Sequence, residues 1–108
     1  MPWLVAGDRV VASLEIAQTR RERRRGLLGR DRIEGAMLID PARSVHTIGM
    51  RFAIDVAHCD RRLRVLKVRS MARHRLGLPV LRSRVVIEAE KGSFQRWGIE
   101  PGVELEVR

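Results

Sequence analysis

The sequence predicts a mainly β fold that borders on α+β, a compact antiparallel sandwich or barrel of six to seven short strands. Apolar and polar residues alternate along most of the chain, which is typical of strands with one buried face. Turn-forming residues separate these runs, and only two segments, at about 20–29 and 93–97, have helical features. Because 108 residues fit one domain and no linker interrupts them, we expect a single domain over residues 1–108.

The chain is predicted to begin with a hairpin and a helix. The runs "WLVA" (3–6) and "VVASLEIA" (10–17) are separated by "GD", a strong short turn. Thr19 and Glu22 then have the spacing of a capping box, in which each side chain bonds the backbone amide of the other residue. The helix that they begin is expected to end at Gly29.

Five further strands and one helical turn are predicted in the rest of the chain. Four of the strands are "AMLID" (36–40), "FAIDVAHCD" (52–60), "LRVLKVRSM" (63–71) and "RVVIEAE" (84–90). The segment 72–83 is irregular because Gly77 and Pro79 break it, and "SFQRWG" is a turn of helix capped by Ser93 and ended by Gly98. A last strand has three inward side chains, Val103, Leu105 and Val107.

The formal net charge is +9, and 20 of the 22 basic residues are arginine. This excess indicates either a polyanion partner, since guanidinium groups bind phosphates, or the codon preference of a GC-rich genome, which we favour because lysine is scarce. Aromatic residues are only 4% of the chain, too few and too dispersed for a single-strand stacking platform. Nucleic acid is therefore the less favoured partner, through the segment 20–32 and its anion-facing residues Arg20, Arg21, Arg24 and Arg25.

The compartment is predicted from three absences in the sequence. No apolar run approaches the roughly 20 residues that a membrane-spanning helix needs. The opening "MPWLVAGDRV" has no basic region before its apolar residues, so we expect no signal peptide. Cys59 is the only cysteine and cannot form an intrachain disulfide, which suits a cytoplasmic protein.

The pair His58-Cys59 suggests metal or thiol chemistry but has the wrong geometry for either. Neighbouring residues of a strand point to opposite faces, so the two side chains cannot bind one ion without a β-bulge. No Cys-x-x-Cys or His-x-x-x-His spacing occurs, and we expect no metal and no cofactor. Cys59 is interpreted as a small apolar core residue, because a nucleophilic thiol needs an activated, partly exposed position.

Two acidic residues lie in apolar strands. Asp55 falls between apolar neighbours, four residues after Arg51, and a buried acid needs a partner or backbone donors. It therefore either fixes a loop, the interpretation that we favour, or lines a polar pocket with Arg51 and His46. Glu88 raises the same question, although it shares a face with Val86 and Glu90, which also fits a solvent-exposed edge.

Five segments between about Thr19 and Val107 carry a family resemblance: "RRRGLLGR", "GAMLID", "HTIGMRFAIDVAHCD", "VIEAEKG" and "WGIEPGVELEV". In order and spacing they resemble the bacterial and archaeal family catalogued as domain of unknown function 192. The matching residues are Gly26, Leu27, Gly35, Met37, His46, Thr47, Met50, Arg51, Asp55, Glu88, Gly92 and Gly98. His58 and the "EPG" at 100–102 depart from the pattern. The resemblance implies a small β-rich fold with one packed helix, and no established reaction.

Three functions are compatible with these observations. We favour a small non-enzymatic binding or accessory module, because no catalytic constellation is complete. Its polar cluster would hold a small anionic or peptide-like ligand or brace the fold, and it consists of His46, Thr47, Met50, Arg51, Asp55 and Glu88. The alternatives are nucleic-acid or polyanion binding through 20–32, and a hydrolase or transferase that uses Asp55 or His46 as a base.

Overall fold

The computed structural model describes every residue from Met1 to Arg108 and contains seven strands and two short helices. The strands are β1 (Trp3–Ala6), β2 (Arg9–Ala17), β3 (Ala36–Ile39), β4 (Ile54–Cys59), β5 (Val65–Met71), β6 (Val85–Glu90) and β7 (Leu105–Val107). The helix α1 (Arg20–Arg25) follows β2, and α2 (Ser93–Trp97) follows β6. The mainly β class is confirmed, and the strands occupy the runs predicted from alternation. No helix is long and apolar enough to cross a membrane.

The strands form one sheet in the order β5-β4-β6-β3-β2-β1-β7. The sheet curls toward closure, because the Leu105 amide donates to the Leu63 carbonyl (3.0 Å) and the Val65 amide donates to the Val103 carbonyl (2.9 Å). The sheet is mixed rather than purely antiparallel, since β2 and β3 pair in parallel. A parallel pair needs a long crossover connection, which residues 18–35 provide.

Both faces of the sheet are buried, and β3 illustrates the division. Ala36 and Leu38 belong to an inner cluster of 14 residues, which has members on all seven strands. Met37 and Ile39 point the other way, into an outer cluster of 10 residues. Segments outside the sheet cover this outer face through Leu27, Ile33 and Met50. The segment that follows α1 is part of this cover, so α1 is held above the outer face of the sheet.

The helices differ from the prediction at their ends. The capping box of Thr19 and Glu22 is present, but α1 stops at Arg25, because Gly26 has φ 51° and ψ −125° and cannot continue a helix. At α2 the N-cap is Gly92 and not Ser93, while Gly98 ends the helix as predicted. In β7 only Leu105 is buried, and Val107 is 36% exposed rather than inward, because β7 lies at an edge of the sheet.

Gly35 is required where β3 begins beside β2. Its φ is +73°, and a Cβ placed there would lie 2.3 Å from the Ser13 carbonyl oxygen. We expect Gly35→Ala to reduce the free energy of unfolding by about 3 kcal/mol or more, since backbone strain and overpacking add. Gly7→Ala is the matched control, because Gly7 has φ +64° with open space around it. This variant should lower the free energy of unfolding by only about 1 kcal/mol. Equal losses in urea denaturation would contradict this packing.

Candidate functional site: an arginine-rimmed pocket

A cavity of about 330 Å³ lies between α1, the segment that follows it and residues 41–46. From the predicted polar cluster, the structure brings His46, Met50 and Glu88 to its wall. Three of the four predicted anion-facing arginines line it as well, namely Arg20, Arg24 and Arg25. We name this cavity the arginine pocket. It joins residues from two groups that the sequence had suggested separately.

Glu88 forms the floor of the arginine pocket. It lies on the central strand β6, where its register partners are Met37 on β3 and Val56 on β4, so it is not at a solvent-exposed edge. Only 5% of the residue is exposed, and its carboxyl group makes no hydrogen bond within the protein, although its oxygens reach the cavity, since Arg69 Nε is the only fully buried side-chain polar atom without a partner. Burial alone raises the pKa of this carboxyl from 4.5 to about 7.

The segment after α1 passes directly over this carboxyl group. A Cβ placed on Gly26 would lie 3.6 Å from Glu88 Oε1 and 3.8 Å from Ile39 Cδ1. Gly26 therefore lies in van der Waals reach of the floor, and Leu27 and Leu28 extend the same wall. The helix end is thus the feature that places the arginines of α1 above Glu88.

Five arginines surround the pocket, and none of them has an acidic partner. The four ion pairs of the protein are Arg30–Glu15, Arg51–Asp31, Arg84–Asp40 and Arg108–Glu106, which are all elsewhere. Glu22, the acid within α1, accepts instead from the Gln18 and Thr19 amides. The rim formed by Arg20, Arg23, Arg24, Arg25 and Arg43 is therefore a concentration of uncompensated positive charge.

Sequence reasoning missed Arg23 and Arg43. Arg23 stands three residues after Arg20, so helical spacing places Arg20, Arg23 and Arg24 on one face, and this signal was available. Arg43 had no comparable signal, because only the folded sheet brings the turn after Pro41 beside α1. The fourth predicted arginine, Arg21, lines a more open depression of about 680 Å³ outside the pocket, together with Arg20, Arg24, Arg25, Leu28 and His46.

Asp55 lies on the inner face of the sheet, away from the arginine pocket. Its carboxylate accepts hydrogen bonds from Ser70 Oγ (2.7 Å), the Gly92 amide (2.9 Å) and the Phe94 amide (3.1 Å). These bonds join β4 to β5 and to the start of α2. Arg51 does not reach Asp55, because its guanidinium is exposed and pairs with Asp31 at 3.0 Å.

Thr47 lies next to the pocket, but its side chain forms hydrogen bonds with the neighbouring loop. Its hydroxyl donates to the Ala72 carbonyl (2.6 Å) and accepts from the Arg75 amide (2.9 Å). The six residues of the predicted polar cluster therefore occupy separate places: His46, Met50 and Glu88 line the pocket, whereas Thr47, Arg51 and Asp55 do not. Whether those three at the pocket bind a ligand stays a prediction.

His58 and Cys59 point to opposite faces of β4, as alternation requires. The His58 imidazole lies 3.2 Å from Ser83 Oγ, and the Ser83 hydroxyl donates to the Ala42 carbonyl. Burial, with the positive charges of Arg69 and Lys67, lowers the pKa of His58 to about 4. Burial raises the pKa of the Cys59 thiol to about 12. No group of three or more His, Cys, Asp and Glu side chains is placed to hold a metal ion.

Comparison with known proteins identifies relatives of the same fold. The family DUF192, described as "Uncharacterized ACR", matches residues 3–107. A crystal structure of a protein of unknown function from Novosphingobium aromaticivorans DSM 12444 is 24% identical, with a TM-score of 0.79 over 97% of this chain and 83% of the other. A putative transcription regulator from Sinorhizobium meliloti 1021 is 19% identical, with a TM-score of 0.82 over 98% and 91%. A search of curated proteins found no match. At these identities the two structures share the fold alone.

Removal of the Asp55 carboxylate should be costly. Asp55→Ala leaves two backbone amides and a hydroxyl without their acceptor, so we expect the free energy of unfolding to fall by about 3 kcal/mol or more. Asp31→Ala is the control, since Asp31 forms an exposed ion pair worth at most about 1 kcal/mol. Urea denaturation measures both. A loss at Asp55 no larger than that at Asp31 would contradict its anchoring of α2.

Replacement of Glu88 should stabilise the protein at alkaline pH. Because the pKa of Glu88 is raised from 4.5 to about 7, its ionisation destabilises the folded state progressively as the pH rises through that window. The glutamine of Glu88→Gln stays neutral. We therefore expect the free energy of unfolding of this variant to exceed that of the natural protein by about 3 kcal/mol at about pH 8 and by far less at about pH 5.

The control for this comparison is Glu104→Gln, which changes an exposed carboxyl group by the same atoms. Urea denaturation of all three proteins at both pH values gives the three stability differences. If Glu88→Gln and Glu104→Gln respond to pH alike, Glu88 is not the buried, unpartnered group that the structure describes.

Proposed function

Given that the chain belongs to the DUF192 family, whose members are described only as uncharacterised, we propose that it is a binding module for a small anionic ligand. The arginine pocket is the binding site in this proposal. The observation that carries it is a ring of five arginines without acidic partners above an unpartnered buried carboxyl group. Burial of the carboxyl group without a hydrogen bond is unfavourable in the free protein, and arginines without acidic partners have guanidinium groups available to an anion.

The rim selects for negative charge. A phosphate or carboxylate accepts charge-assisted hydrogen bonds from guanidinium groups and offsets their positive charge. Partial enclosure strengthens these bonds, because the effective dielectric constant inside a cavity is lower than that of water. An anion is therefore the ligand group that matches Arg20, Arg23, Arg24, Arg25 and Arg43.

The walls and the floor select for the rest of the ligand. Between rim and floor the pocket is lined by apolar side chains, those of Leu27, Leu28, Ile39, Val45 and Met50. A volume of about 330 Å³ is within the range of small-molecule sites. The matching ligand has an anionic end at the rim, an apolar body, and a hydrogen-bonding group that satisfies Glu88.

Phenyl phosphate is the probe that tests this site. It provides two of the three features of the matching ligand, the anionic end and the apolar body, while inorganic phosphate and phenol each provide only one of these two. We expect calorimetric titration to show the highest affinity for phenyl phosphate. The double variant Arg24→Ala, Arg25→Ala should bind it at least about tenfold more weakly, because each arginine loses a charge-assisted bond.

The matched control is Arg61→Ala, Arg62→Ala, which removes the same charge from exposed arginines of the turn after β4. It should retain the affinity of the natural protein within about a factor of two. The proposal fails if phenyl phosphate produces no saturable heat. It also fails if the two double variants weaken binding equally, because the effect is then one of net charge.

Polyanion binding is the second candidate, supported by one observation. All four predicted anion-facing arginines, Arg20, Arg21, Arg24 and Arg25, line the open depression outside the pocket. A nucleic-acid backbone would lie across that depression, and its affinity for duplex DNA would fall with salt at a log–log slope of about −0.9 for each phosphate neutralised.

Arg21 and Arg43 distinguish the two candidates. Arg21 lines only the open depression and Arg43 only the pocket. If the chain binds a small anion, Arg43→Ala weakens phenyl phosphate binding and Arg21→Ala leaves it unchanged. If it binds a polyanion, Arg21→Ala reduces the salt slope for duplex DNA by about one unit, and Arg43→Ala does not.

A further inference from the structure

The loop 72–83 displays three large apolar side chains to solvent. Leu76 is 76% exposed, Leu78 is 75% exposed and Leu81 is 83% exposed. Ile48, which is 51% exposed, follows Thr47, whose backbone is hydrogen-bonded to Arg75 and His74 of the loop. Single exposed leucines are ordinary on a protein surface, but several in one short loop mark an interaction surface. We name this loop the leucine loop.

The backbone of the leucine loop is held in place. The Gly77 amide donates to the Val45 carbonyl (2.8 Å), and the Val80 amide donates to the Arg43 carbonyl (2.9 Å). A Cβ placed on Gly77 would lie 2.7 Å from the Val45 carbonyl oxygen, so the two segments pack closely. The leucines are therefore presented outward by a fixed scaffold, since the side of the loop that could bury them is occupied by residues 43–47.

Positive charge surrounds the leucines. No acidic residue occurs between Asp60 and Glu88, a stretch that contains eight arginines and one lysine. Arg73, Arg75 and Arg82 flank the leucines, and all three are exposed and absent from the ion pairs of the protein. The leucine loop thus combines exposed leucines with three arginines that form no ion pair, one of which, Arg75, donates to the Arg73 and His74 carbonyls.

The combination of exposed leucines and positive charge favours an anionic bilayer surface as the partner. On such a surface, leucines enter the boundary of the acyl chains while arginines remain among the headgroups. Anionic headgroups attract the flanking arginines.

We propose that the leucine loop docks on the surface of an anionic lipid bilayer, with its three leucines inserted and Arg73, Arg75 and Arg82 bound to headgroups. The inference does not depend on the arginine pocket. It is tested by co-sedimentation of the full chain with vesicles of phosphatidylcholine alone, and with vesicles of phosphatidylcholine and phosphatidylglycerol. Binding to the mixed vesicles only is the expected result.

Two variants separate insertion from charge. The triple change Leu76→Ser, Leu78→Ser, Leu81→Ser should weaken vesicle binding at least about tenfold. The change Arg73→Gln, Arg75→Gln, Arg82→Gln should weaken it about 100-fold. The matched control, Arg32→Gln, Lys91→Gln, Arg96→Gln, has the same net charge and should lose less than about threefold, because charges distant from the bilayer are screened.

Leu78→Trp provides a direct readout of insertion. Its fluorescence should shift to the blue and be quenched by brominated acyl chains when mixed vesicles are added. Loss of binding in the control triple as large as that in the arginine triple would overturn the proposal in favour of net charge. Absence of quenching would overturn insertion. A dimer in sedimentation velocity that the leucine triple abolishes would assign the loop to a second copy of the chain.

Discussion

The burial of the Glu88 carboxyl group, which makes no hydrogen bond within the protein, is the constraint on which the candidate site depends. Glu88 lies at the centre of the sheet, on a face that must be covered because its neighbours are apolar. The chain after α1 supplies that cover, yet it leaves space above the carboxyl group rather than a donor. An apolar residue here would avoid the cost of desolvation, and the proposed ligand would account for a carboxyl group at this position.

Asp55 shows that the same sheet can supply hydrogen-bond donors to a buried carboxyl group that has a structural role. Both acids stand in apolar stretches of adjacent central strands, and they lie close in register, where Asp55 is opposite Ala89. Asp55 points inward, where the amides at the start of α2 converge on it. Glu88 points outward, where arginines stand at the rim but no donor reaches it. The direction of each side chain therefore separates a structural acid from a candidate functional one.

Much of this fold could be predicted because alternation reports which residues share a face. The boundaries of β1, the capping box of α1 and the end of α2 at Gly98 follow from local spacing alone. Alternation does not report what covers a face, and so Glu88 could not be distinguished from an edge residue. The parallel pairing of β2 with β3 and the approach of Arg43 to α1 also depend on contacts between distant segments. Family resemblance selected Glu88, His46 and Met50 without indicating that they meet.

The most direct measurement is the titration of Glu88 itself, by carbon NMR of the labelled side-chain carboxyl, with Glu88→Gln to assign the signal. In the free protein we expect its midpoint at about pH 7, because burial opposes ionisation. Saturating phenyl phosphate should raise that midpoint further, since a second negative charge in the pocket disfavours the carboxylate. A midpoint near the ordinary value of 4.5, or one that phenyl phosphate leaves unchanged, would contradict a ligand site at Glu88.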